Sequence, residues 1–230
     1  MRALPALLLV LLAFVLSLPV LALVGSWTQW NAESAQILRE MAATVLPEYL
    51  WVTVQLAVMV GIGVVAMGVP AAVLVTVFDF PGRRSFEWLL LLPLAMPAYV
   101  TAYAYTDFLQ FSGPLQSWLR ASFGLEGRLL PEVRSVWGAA WVFSFSLYPY
   151  VYLLSRTALA ERAPQLMEAA RLLGASLPRR LREVALPMAR PAVAAGTALA
   201  LMEVLADYGV SVYFGIQTFT AGIYKAWLSM

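Results

Sequence analysis

Residues 49–78 read YLWVTVQLAVMVGIGVVAMGVPAAVLVTVF. No Asp, Glu, Lys or Arg interrupts the run, and its apolar side chains follow neither the helical nor the strand period of a half-buried element. A helix needs about 20 apolar residues to cross a hydrocarbon core of roughly 30 Å, so this block spans a bilayer with turns to spare. The rest of the chain has the same character. Hydrophobic residues make up 62% of it against 12% charged, with a mean hydropathy of +0.78. A water-soluble chain of 230 residues has no interior large enough to hide that much apolar surface.

Four further apolar blocks flank this one, at residues 3–24, 88–105, 135–155 and 191–208. The expectation is an all-α, polytopic transmembrane helical bundle of about five spanning helices, in a single domain over residues 1–230. Val20-Leu21-Ala22 is a passable signal-peptide cleavage signature. The first block is nonetheless long enough to be a retained helix. Trp27 and Trp30 behind it suit a membrane–water boundary. Within 49–78, Ala57, Gly61, Gly63, Ala66 and Gly68 are small enough for a neighbouring helix to approach closely; the same residues would suit a pathway wall. Pro93 and Pro97 should bend the third block.

Arginine and lysine are unevenly shared between alternate loops. Arg2, Arg83, Arg84, Arg156, Arg162, Arg171, Arg179, Arg180, Arg182 and Arg190 fall on one side, and Arg39, Arg120, Arg128, Arg134 and Lys225 on the other. Ten against five places the N-terminus and the 156–190 loop in the cytoplasm, and five crossings leave Met230 outside.

Several function classes drop out. With no Cys and no His there are no disulfides, thiol nucleophiles, zinc sites or imidazole acid–base chemistry. The single lysine, Lys225, precedes Ala226, so no GxxxxGK[ST] phosphate loop exists, and there is no GxSxG elbow. No catalytic residue, metal site or cofactor is expected. An ATP-driven process would require a partner chain.

The longest hydrophilic segment, residues 156–190, carries the functional reading. Pro164 suits the first turn of a short helix over residues 166–173, and Gly174 its stop. Ser176 should cap a second short helix over residues 178–185, which Pro187 ends. The first helix should expose Leu166, Met167, Ala170 and Leu173, an apolar face that needs either a protein groove or a lipid surface. Glu168-Ala169-Ala170, three residues, Gly174, nine residues, then Val184-Ala185-Leu186-Pro187 resembles the EAA…G…I-x-L-P signature of binding-protein-dependent ABC importer permeases, with valine at 184 for isoleucine. The resemblance implies a type I ABC importer permease in the bacterial cytoplasmic (inner) membrane. Its ATPase-coupling residues would be Glu168, Ala169, Ala170, Gly174, Val184, Leu186 and Pro187. Its partners would be two copies of a cytoplasmic ATPase, a periplasmic or external substrate-binding protein, a second permease half (fused or separate) and the lipid membrane, with no nucleic acid.

Residues 92–100 (LPLAMPAYV), 147–154 (LYPYVYLL), 206–209 (ADYG), 213–215 (YFG) and 218–224 (TFTAGIY) resemble the N-terminal half of ferric-iron permeases. That implies iron as substrate; thiamine, sulfate, polyamine or another small solute would use the same loop. The likeness to a first half, lacking a sixth helix, gives the expectation of a fragment of a longer fused permease. Glu203 and Asp207 are the acids inside an expected span; four apart, they share a helix face. Membrane acids are pathway candidates, although a structural contact is the plainer role for both. Tyr99, Tyr103 and Tyr105 could ligate iron in principle, but packing or interface anchoring suits them better. An ion-coupled secondary transporter is the competing class; it would rest on Glu203 and Asp207 alone and leave the Glu168–Pro187 spacing unexplained.

Overall fold

The computed structural model describes residues 3–26 and 32–229. Arg2, Trp27, Trp30 and Met230, used above for orientation and boundary, lie outside them. The described residues form helices joined by turns and by one longer loop, residues 124–135, with no strand among them. The chain divides into two compact units, Met1–Pro47 and Glu48–Met230. The first contains α1 (Ala3–Ser26) and α2 (Ala32–Thr44).

The second unit is built around α3 (Leu46–Val77), α7 (Val136–Leu172) and α9 (Leu186–Ala206). Between them come α4 (Arg83–Leu89), a 3-10 turn at Leu92–Ala95, α5 (Ala98–Leu109), α6 (Pro114–Phe123) and α8 (Leu177–Arg180). It closes with α10 (Gly209–Phe214) and α11 (Phe219–Ser229). Valine and glycine are poor helix formers in water, yet α3 is rich in both. In hydrocarbon only intrahelical bonds can satisfy every backbone group, and that requirement overrides propensity.

Leu56, Val60, Val64, Gly68 and Ala72 recur every fourth residue along α3 and are buried. Leu56, Val60 and Val64 meet Ala139, Phe143, Leu147 and Val151 of α7 and Ala200 and Val204 of α9 in one core. A second cluster, Ala72, Val75, Tyr152, Leu159, Ala185 and Ala189, lies further along the same three helices. The opposite face of α3 exposes Val54, Val58 and Ile62, a stripe that only lipid or another apolar helix can cover. Gly68 and Gly196 grip α7 from two sides. A Cβ on Gly68 would lie 2.9 Å from the Tyr148 carbonyl oxygen, and one on Gly196 2.7 Å from the Val151 Cα. Without a hydrophobic driving force between helices in lipid, such close backbone contact is the main source of association. The small residues of α3 are thus chiefly packing residues.

Among the described residues three helices are long and apolar enough to cross a membrane: Leu7–Ser26, Leu46–Val77 and Leu177–Ala206. The pair Arg83–Ala95 and Ala98–Phe123, bent by 96°, is apolar enough only when taken together, as a broken span or a re-entrant loop, and α7, which holds the block expected at 135–155, is not among them. Pro97 causes the bend. It forces Met96 into an extended conformation (φ −111°, ψ 127°) and then starts α5. The block expected as one run over residues 88–105 is therefore an elbow.

The helices expected to lie separately in the 156–190 loop are extensions of the long core helices α7 and α9. The first continues α7, which runs unbroken through Pro164 to Leu172. Pro164 cannot bond the Ala160 carbonyl, but Ala160 is exposed and water can serve it. The second runs from α8 through a π-helical turn at Leu181–Ala185 straight into α9. Pro187 does not end it: proline sits in the first turn of α9, where a missing N–H is harmless, and the wide turn ahead of it absorbs the change of register.

Candidate functional site

Two places in the second unit carry chemistry. The first is the hairpin between α7 and α8. At 37 residues, α7 is roughly 55 Å long, longer than the roughly 30 Å of a bilayer core, and its last turns carry exposed side chains. It ends in a Schellman turn: Ala175 N–H donates to the Ala170 carbonyl (3.0 Å) and Gly174 N–H to the Arg171 carbonyl (2.9 Å). Gly174 adopts φ +81°, and a Cβ there would meet nothing within 4 Å. Glycine is needed for its backbone conformation alone.

Glu168 and Ala169 face outward, with Glu168 3.6 Å from Arg171. Leu172 and Leu173, at the tip, are 81% and 88% exposed, the most exposed large apolar side chains of the hairpin. The face expected from the sequence splits. Leu166 and Leu173 are exposed, whereas Met167 packs on the second core cluster and Ala170 is half-buried. Val184, Leu186 and Pro187 are half-buried around the fully buried Ala185, so this part of the motif anchors the hairpin to the bundle. Arg179 donates to Glu183 (2.9 Å).

Behind the hairpin, Arg156 on α7 pairs with Glu87 on α4 (2.8 Å), and the Tyr152 hydroxyl donates to the Glu87 carbonyl (3.2 Å). Arg83 reaches both Glu87 (3.5 Å) and Asp79 (2.5 Å). The sequence marked Arg83 and Arg156 only as topology signals. Nothing in the spacing from 87 to 156 announced that they share a carboxylate.

The second place is a cavity of about 390 Å³ inside the elbow. Its walls include Leu94, Met96 and Phe143, with Ser146, Tyr150, Glu203, Asp207 and Tyr208 as its polar groups. Glu203 and Asp207 do meet here, but not on one helix face. α9 ends at Ala206, and Asp207 is extended (φ −71°, ψ 133°). Its Oδ2 accepts from the N–H groups of Val210 (3.0 Å) and Ser211 (3.1 Å) and from the Ser211 hydroxyl (3.4 Å), capping α10. Tyr150 donates to Glu203 over 3.5 Å. Of the three tyrosines weighed as ligands, Tyr103 stacks on Tyr213 and Tyr105 approaches Phe145, both packing roles, and Tyr99 lies beside Gly209. Among the described residues no three His, Cys, Asp or Glu side chains form a metal-holding group.

An all-α bundle in which several helices are long and apolar enough to cross a membrane defines a polytopic membrane protein. Comparison makes the class specific: residues 65–226 match the family described as binding-protein-dependent transport system inner membrane component, and the chain belongs to that family. It is 31% identical over 147 residues to the sulfate transport system permease protein CysT of Escherichia coli (strain K12), covering 64% of this chain and 50% of that one. It is 26% identical over 180 residues to the Fe(3+)-transport system permease protein FbpB 2 of Haemophilus influenzae (strain ATCC 51907 / DSM 11121 / KW20 / Rd), covering 78% and 31%. YvgM of Bacillus subtilis (strain 168), named for molybdenum transport, is 25% identical over 181 residues, covering 75% and 76%. The chain thus spans half the length of CysT and about a third of FbpB 2. The protein is a multi-pass component of the inner membrane.

Proposed function

We propose that this chain is the membrane-spanning permease subunit of a binding-protein-dependent ABC importer, moving ferric iron into the cytoplasm as a separate ATPase subunit hydrolyses ATP. The observation that carries the reading is the α7–α8 hairpin. Glu168, Ala169 and Gly174 lie on a rigid extension of a core helix, with two bare leucines at its tip, while Val184, Leu186 and Pro187 root the return strand of the hairpin in the bundle. A push on the tip is therefore delivered along α7 and α9 to the cavity between them. Two cytoplasmic ATPases would supply the push. An external binding protein would deliver the cargo, and a second permease half, fused or separate, would complete the path and cover the apolar faces that lipid does not.

Iron as cargo draws on the ferric-permease likeness of residues 92–100, 147–154, 206–209, 213–215 and 218–224, several of which frame the acidic cavity. The identity to CysT favours a second reading, a sulfate-like oxyanion. Uptake by the assembled transporter in proteoliposomes separates them. ATP-dependent entry of ferric iron, and not of sulfate or molybdate, is expected. Entry of an oxyanion alone would replace the iron reading, and entry of any solute without the ATPase would remove the importer reading altogether.

A further inference from the structure

We propose that the cavity inside the elbow is a cation site, a stopping place on the transport path for a hard, oxygen-seeking cation, with Glu203, Asp207, Tyr150 and Ser146 as its working groups. The proposal rests on the importer reading and gives its cargo a site inside the bundle.

The polar wall offers oxygen only. Two carboxylates, two phenols and one hydroxyl line the cavity, and no lysine or arginine does. The carboxylates are also available. All three hydrogen bonds to Asp207 fall on Oδ2, so α10 fixes this side chain while Oδ1 is left for a ligand. The bond from Tyr150 to Glu203 is long at 3.5 Å, loose enough for the carboxylate to turn towards an ion.

Ser146 is the independent sign. It is 3% exposed, it lines the cavity, and its Oγ has no hydrogen-bond partner. A helical serine normally bonds back to the carbonyl one turn earlier, and a buried hydroxyl left unpaired is unfavourable. An ion, or a water in its hydration shell, would satisfy it. An oxyanion would instead face two carboxylates with no positive charge to offset them.

Terbium(III), a hard trivalent cation whose emission is sensitised by a nearby tyrosine, probes this site through Tyr150 and Tyr208. The test is a titration of the purified transporter, permease with its ATPase, in detergent. A saturable tyrosine-sensitised signal is expected from the wild type. Glu203→Gln should weaken it by roughly tenfold, the effect of losing about 1.4 kcal/mol of ion attraction. Ser146→Ala should weaken it less, and because it withdraws no hydrogen bond from the fold it decides the matter even if Glu203→Gln fails to assemble. Equal affinity in the wild type and the variants overturns the cation site. The same preparations are scored for ATPase capture and for uptake: a wild-type permease that captures no ATPase strikes the importer reading, whereas capture and uptake with unchanged terbium affinity strike only the cavity.

Discussion

Gly68 and Gly196 press on the α7 backbone between Tyr148 and Tyr152, and Gly174 ends that same helix in open space. Identical residues serve opposite needs. At 68 and 196 the missing Cβ makes room, and the atoms it would strike are backbone atoms that cannot swing aside. Gly196→Ala should therefore destabilise the bundle by about 1–3 kcal/mol, as overpacking does, read as a lower unfolding temperature in detergent. An unchanged temperature would show that α9 can draw back from α7 at no expense. At 174 there is room for any side chain, and the requirement is φ +81°, which other residues reach at a cost of about 1 kcal/mol or more.

At the scale of elements, α7 joins the functions. It lies against α3 and α9 in the core, pairs with α4 through Arg156 and Glu87, and carries Glu168 to its exposed end. A reporter fused after Arg162 should behave as cytoplasmic and one fused after Arg120 as external; swapped compartments would put the hairpin on the wrong side for an ATPase. The apolar blocks at 49–78 and 191–208 were legible in the sequence because lipid-exposed helices need length and apolarity above all. The hinge at Gly174 was legible because a helix stop has a residue signature. The unbroken course of α7 and the passage through Pro187 were not. Proline is a helix breaker by local rule, and only the exposure of Ala160 and the wide turn at Leu181–Ala185 lift the penalty. The Glu87–Arg156 pair and the unpartnered Ser146 were equally hidden, since each depends on which helices the fold brings together.

At the largest scale, the second unit combines a tight three-helix core, an acidic cavity at one bend and a bare hairpin at the end of a long helix, the parts on which the proposed coupling rests. The proposed ATP-driven reading, as against a gradient-driven carrier, rests on the hairpin. Gly174→Val replaces the one residue suited to its left-handed joint and adds a branched side chain there, so it should displace Leu172 and Leu173 while leaving the buried clusters untouched. The direct measurement is co-purification of the ATPase with wild-type and Gly174→Val permease, both inserted in the membrane in the complete transporter. Strong capture by the wild type, with capture and uptake lost together in the variant, is the predicted result. Undiminished capture and uptake by Gly174→Val would contradict the coupling role of the hairpin.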